Sequence, residues 1–92
     1  MYVIVCYDVV LDRRRNRLLR RLRELLTHVQ KSVFEGEIDD GALVRLRSTI
    51  LEEIDPEEDT VRVFHQCARC IPATEIIGTG AFVDTSDADE IV

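Results

Sequence analysis

The sequence predicts an α+β fold in which a four-stranded antiparallel sheet carries two helices on one face. Three observations lead there. An almost wholly apolar run, "YVIVCY", stands at the front of the chain. Two longer stretches repeat leucine and isoleucine at helical spacing, and short β-branched runs separate and follow them. With 92 residues there is room for one domain, read as a body over residues 1–80 and an acidic C-terminal extension over 81–92.

Residues 2–7 are β-branched and aromatic with no polar break, the pattern of a strand buried on both faces. A helix is predicted over 13–28, where Leu18, Leu19, Leu22, Leu25 and Leu26 form one stripe. Asp12 stands where an N-cap can accept from the free amides of the first turn. "VQKSVFEGEI", residues 29–38, is a second strand, bulged or ended near Gly36. Leu43, Leu46, Ile50, Leu51 and Ile54 then share one face of a second helix from about Asp40, capped by Asp39 or Asp40 and stopped by Asp55-Pro56. "TVRVFHQ", residues 60–66, alternates like a strand, and "TEIIGTGAF", residues 74–82, is another, broken by two glycines. These elements are assigned to β-α-β-β-α-β with a C-terminal extension or fifth strand, the ferredoxin-like pattern, although they place one strand rather than two between the helices. A sheet whose first strand is apolar throughout needs a cover on the face without helices. A second copy packed sheet to sheet, a homodimer, is the simplest one.

Apolar residues make up 46% and charged residues 33%, the balance of a soluble globular protein. No apolar run approaches the ~18 residues that span a bilayer, so no membrane partner is expected. The N-terminal run has no basic segment before it and ends in Asp8, unlike a signal peptide. Three cysteines, an odd number, point to the reducing cytoplasm. Cys67-Ala68-Arg69-Cys70 is a C-x-x-C, but no second pair follows to complete a zinc site, and the pair follows a strand rather than opening a helix. Plain packing or loop cysteines are the simpler reading. His28 and His65 are single, each read as a surface or satisfied core histidine.

Charge is distributed unevenly. The net value is −6, yet residues 1–31 hold seven arginines and Lys31 against three acids, while residues 32–92 hold four arginines against fifteen acids. Such asymmetry suggests a basic face for a polyanion, or simply a solvated arginine-rich helix. Arg13, Arg14 and Arg15 open the first helix, where the positive end of the dipole makes cations unfavourable by ~0.3–1 kcal/mol each. On a 3.6-residue wheel Arg13, Arg17 and Arg20 point away from the core, and Arg14 and Arg21 share one flank, with Arg23 on the other. Arg15 falls on the leucine stripe, aimed at the strand end that holds Asp8. An anion site fits these residues, with free amides and guanidinium groups gathered around a phosphate. A structural pairing of Arg15 with Asp8 or Asp12 fits them as well. Asp8 itself suits either a polar strand end or a magnesium ligand, since Mg2+ takes one or two carboxylates, several waters and substrate phosphates. One acid per chain is thin for a nuclease, whereas a symmetric dimer would supply two.

The segments "YVIVCYDV", "RRRNRLLRRL", "VQKSVFEGEI" and "IDPEEDTVRVF" together resemble the small CRISPR-associated core protein that accompanies the integrase in spacer acquisition, the second core Cas family. The resemblance runs from Tyr2 to about Gly78. It implies a ferredoxin-like homodimer, often with the C-terminal strand added to the partner's sheet, and a Mg2+-dependent endonuclease of antiviral defence acting on single-stranded RNA or double-stranded DNA. Asp8 matches the family's catalytic, metal-binding aspartate, contributed by both subunits, and Tyr7 its neighbour. Arg15 and Arg17 match the basic pair of the first helix, joined by Arg14 and Arg21 as the nucleic-acid-binding set, and Phe34 matches the strand-two aromatic. His28 stands where some relatives place a basic residue. The resemblance implies a second role too: a non-catalytic dimer that bridges CRISPR integrase subunits and grips prespacer DNA. A toxin-like ribonuclease of similar fold is a third reading.

Overall fold

In the computed structural model, which describes residues 1–79, the chain forms β1 (Tyr2–Asp8), α1 (Asp12–Leu22), β2 (Thr27–Gln30), β3 (Val33–Glu37), α2 (Asp40–Glu53) and β4 (Thr60–Gln66). The sheet order is β2-β3-β1-β4 with every neighbouring pair antiparallel. β1 is central. Val5 stands opposite Phe34 on one side and Val63 on the other, and Ile4 stands opposite Glu35 and Phe64. Successive side chains of a strand face opposite ways. Val3, Val5 and Tyr7 therefore enter one core with Leu18, Leu22, Leu26, Phe34, Ile38, Ala42, Leu46 and Ile50, which places both helices on that face.

The other face is only partly covered. Tyr2 is buried there, and its hydroxyl donates to Glu35 Oε1 at 2.9 Å. Ile4 and Cys6 are half-buried, and Phe64 is 46% exposed. Part of the cover comes from the chain itself. Ile71, Thr74, Ile76 and Ile77 line a groove of about 430 Å3 together with Tyr2 and Ile4.

Several expectations are corrected. Residues 29–38 are not one strand but a hairpin, β2 and β3, with a register shift between His28 and Gln30, while Gly36 lies inside β3. This hairpin supplies the adjacent strands that a β-α-β-β-α-β order requires. Secondly, α1 stops at Leu22 rather than running to residue 28. Both Leu25 N (3.0 Å) and Leu26 N (2.8 Å) donate to the Leu22 carbonyl, tightening the last turn so that Leu26 drops onto β3. Glycine suits that contact, because a Cβ on Gly36 would sit 3.0 Å from Leu26 Cδ2 and Leu26 would have to give way by a few tenths of an ångström. The leucine stripe continues unbroken through this turn, which is why periodicity extends the helix. Thirdly, Asp12 does not cap α1. Leu11 holds the N-cap position with no side-chain bond, and the Asp12 carboxylate pairs instead with Arg15 three residues on. Fourthly, residues 74–79 form no strand, and the remaining part of that expected segment lies outside the described residues, as does the extension over 81–92. The second helix keeps its expected start, with Asp39 Oδ1 accepting from Ala42 N at 2.7 Å, but Leu51 is 69% exposed and lies off the face that Leu43, Leu46, Ile50 and Ile54 turn to the core. No helix among the described residues is long and apolar enough to cross a membrane.

One buried carboxylate joins the loops at this end of the molecule. Asp59 accepts from Val10 N at 2.9 Å, from Asp55 N at 2.8 Å and from Arg14 Nε at 2.9 Å. Its side chain has no exposed surface. The Arg14 guanidinium, with the amides of Asp55 and Val10, holds its pKa well below the carboxylate range against the opposing effect of desolvation. Arg17, then Arg21, hold Glu53 down in the same way.

Two predictions follow from this packing. Gly36→Val should destabilise the fold by ~1–3 kcal/mol, read from urea unfolding, because the core there has no slack. For Asp59 and Glu53, the unfolded carboxylates titrate near pH ~4 and the folded ones lower. Their stabilisation is therefore present above pH ~4 and lost as pH falls through the folded values. Asp59→Asn should lower the thermal midpoint at pH 7 by roughly 5–10 °C and flatten the acid dependence of stability.

Candidate metal and nucleic-acid site

Asp8 closes β1 opposite Thr60, the first residue of β4. It is exposed and makes no hydrogen bond or ion pair among the described residues. Beside it lies the β2–β3 turn. Tyr7 N donates to the Ser32 carbonyl at 3.1 Å, and the Tyr7 hydroxyl donates to the Lys31 carbonyl at 3.3 Å. His28 Nε2 reaches the same Lys31 carbonyl at 3.1 Å. The His28 ring stacks on Phe34 (centroids 4.5 Å, 14° between planes), and Tyr7 lies on Phe34 at 6.2 Å and 30°. Burial pushes the Tyr7 phenol pKa up, with Arg15 and Arg23 opposing. Tyr7 and Phe34 are thus buried supports that hold the strand end and the turn together, not a surface that a ligand can touch.

The arginines divide into two groups. Arg14 grips Asp59 and reaches Glu58 at 3.1 Å, and only 15% of its side chain is exposed. Arg17 Nε donates to Glu53 at 2.9 Å, and Arg21 NH1 donates to Glu52 at 2.7 Å and Glu53 at 3.0 Å. Three of the four arginines expected to bind nucleic acid are therefore already paired across to α2 and the loop after it. The fourth, Arg15, donates to the Val9 carbonyl at 2.8 Å and pairs with Asp12. Of the two readings open for Arg15, a structural pairing with Asp12 is the one observed, and Asp8 stays free. Arg13, Arg20 and Arg23 are exposed and have no ion-pair partner among the described residues. The exposed Arg21–Glu52 pair is worth only ~0–1 kcal/mol, whereas Glu53 is only 12% exposed and is held by Arg17 and Arg21 together, so Arg21 alone can exchange a carboxylate, that of Glu52, for a phosphate at little cost. Arg14 cannot, because its departure would leave Asp59 buried without a cation.

Reading the sequence along one helix at a time missed this partition. The signal was available. Arg14, Arg17 and Arg21 are spaced i, i+3, i+7, one stripe of a helix, and Glu52 and Glu53 end α2 with no basic residue in its last turn. Also missed was the Lys31-Ser32 turn at the Asp8 end of the sheet, whose placement depends on the hairpin register.

As a metal centre the site is half-built. Among the described residues no group of three or more metal-ligating side chains comes together. A free, exposed carboxylate with hard oxygen donors suits Mg2+, which keeps most of its water and needs only one or two such ligands. Asp8 fits that demand, and a second copy of the chain would double it.

Comparisons with known proteins bear on the family and the fold. A family model described as "CRISPR associated protein Cas2" matches residues 1–73. A protein named CRISPR-associated endoribonuclease Cas2 from Methanocaldococcus jannaschii is 37% identical over 92 residues, covering 100% of this chain and 76% of that one. Its namesake from Thermococcus kodakarensis is 42% identical over 78 residues, 85% of this chain and 88% of the relative. Among solved structures, a hypothetical protein from Thermus thermophilus superposes with TM-score 0.76 at 30% identity over 86% of this chain and 92% of that one. Streptococcus pyogenes Cas2 shares the fold at TM-score 0.75, with 24% identity over 85% of this chain and 100% of that one. The chain belongs to the CRISPR-associated Cas2 family.

Proposed function

We propose that this chain acts in CRISPR defence as a homodimeric, Mg2+-dependent endonuclease, with Asp8 of each copy as the metal-binding, catalytic carboxylate. The observation that carries the reading is Asp8 itself. It stands exposed at a fixed strand end with no partner among the described residues, while Asp12, Glu52, Glu53, Glu58 and Asp59 are all held by arginines. When bound, Mg2+ supplies a Lewis acid at the scissile phosphate and lowers the pKa of a bound water. The chain's own part is to hold and position. β1, anchored on both sides by β3 and β4, fixes the Asp8 backbone, and Tyr7 clamps the neighbouring turn. Arg13, Arg20 and Arg23 offer unpaired cations to the phosphate backbone, assisted by Arg21, which gives up its weak pair with Glu52.

The curated relatives carry the name endoribonuclease, which favours RNA as substrate. Double-stranded DNA fits the same phosphate contacts. A second reading, a non-catalytic dimer that bridges CRISPR integrase subunits on prespacer DNA, is favoured by the single unclustered carboxylate. It uses the same arginine face without Asp8 chemistry.

Asp8→Asn should lower Mg2+-dependent cleavage of single-stranded RNA or duplex DNA at least ~100-fold, with thermal midpoint and dimer mass unchanged. Cleavage retained in a clean preparation would sink the nuclease reading. Integration by the integrase that survives Asp8→Asn would support the scaffold. A separate measurement maps the cationic face. Arg13→Ala and Arg20→Ala should each flatten the plot of log affinity against log salt by about one unit. Arg14→Ala should instead lower stability and leave that slope in place.

A further inference from the structure

The cysteines after β4 are not packing residues. Cys67 and Cys70 are both exposed, and Cys70 N donates to the Cys67 carbonyl at 3.0 Å, closing a tight turn with a thiol at each end. The turn brings the two Sγ atoms to 3.2 Å, about 1.2 Å more than a covalent S–S bond. The thiols differ. The adjoining Cys70 thiol, with backbone amides of Cys70 and Arg69, lowers the Cys67 pKa, and the adjoining Cys67 thiol raises that of Cys70. A nucleophile beside a resolving thiol has that asymmetry. Cys6 is separate, half-buried in β1 opposite Val33 and Arg62.

We infer that Cys67 and Cys70 form a reversible intrachain disulfide, a redox modification site that governs the path of the segment following β4. The co-reactant is a low-molecular-weight disulfide. The Cys67 thiolate attacks one of its sulfurs, forming a mixed disulfide and releasing one thiolate. Cys70, losing its proton to solvent, attacks the Cys67 sulfur and releases the second. Two electrons pass from the dithiol to the small disulfide, which leaves as two thiols. The turn so locked continues directly into a second one. Thr74 N donates to the Ile71 carbonyl at 3.2 Å, and the Thr74 hydroxyl donates to the Cys70 carbonyl at 3.1 Å. These turns carry the chain to Ile71, Thr74, Ile76 and Ile77, one wall of the groove on the open sheet face. Oxidation therefore restrains the residues that cover Tyr2 and Ile4.

The test uses the full chain in glutathione buffers of graded redox ratio, quenched with an alkylating agent and mapped by peptide mass. Expected is a Cys67–Cys70 disulfide with a mass loss of ~2 Da and Cys6 still alkylated. In the reduced protein at pH 7, Cys67 should alkylate at least about fivefold faster than Cys70. Cys70→Ser should trap Cys67 as a glutathione mixed disulfide. Amide exchange over residues 71–79 should slow at least about threefold on oxidation. The site is refuted by two free thiols persisting in fully oxidised glutathione, by disulfides that join separate chains, or by a pair that withdraws one equivalent of Zn2+ from a chelator and then resists oxidation. A disulfide that leaves exchange over 71–79 unchanged refutes the link to that segment.

Discussion

The interhelical ladder of Arg14, Arg17 and Arg21 on acids 52–59 is the constraint from which the rest of this structure is best understood. Each helix carries charge at the wrong end of its own dipole. Arginines crowd the start of α1, and acids end α2. The pairs descend from 59 to 52 as the arginines ascend from 14 to 21, so the loop after α2 meets the first turn of α1 and the acidic end of α2 meets Arg17 and Arg21 farther along it. The rungs are unequal. Glu52 is largely exposed, so its pair contributes little. Asp59 is enclosed, and it also takes the amide of Val10, two residues beyond Asp8. The exit of β1, and with it the site, is thereby fixed to the helix layer.

The ladder also alters the electrostatics of the arginine-rich face. Seven arginines in one short stretch suggest a strong cationic surface, but much of that charge is neutralised within the chain. The charge left for a polyanion lies at Arg13, Arg20 and Arg23 and, by exchange of its exposed Glu52 pair, at Arg21. A moderate field of this kind suits a grip that can be released as salt rises. Nuclease and scaffold alike can use it, so the distinction between them falls on Asp8 alone.

The architecture was legible because its signals are local. The apolar run of β1, the alternation of β4 and the Asp39 cap each specify one element without reference to another. Asp8 was legible for the same reason, as the first acid after an apolar strand. What periodicity could not supply was anything decided between elements. Leu25 and Leu26 continue the helical stripe, yet the space above Gly36 draws Leu26 out of the helix. The arginines looked like a ligand site because their partners lie more than thirty residues away in sequence. The pairing of the cysteine sulfurs likewise depends on a turn that composition alone does not specify.

The seat of Leu26 over Gly36 has one more implication, for how the chain can vary in length. Between the end of α1 and the start of β2 only residues 23–26 intervene, and the last of them is pinned in the core. Adding or deleting a single residue there would move Leu26 off its seat, and it would carry His28 away from Phe34 and the Lys31 carbonyl at the same time. The turn at 55–58 offers no freedom either, since Asp55 and Asp59 must stay four apart to share their hydrogen bonds. A change of length beyond the turns that follow β4 would, by contrast, leave the sheet end that carries Asp8 the same size.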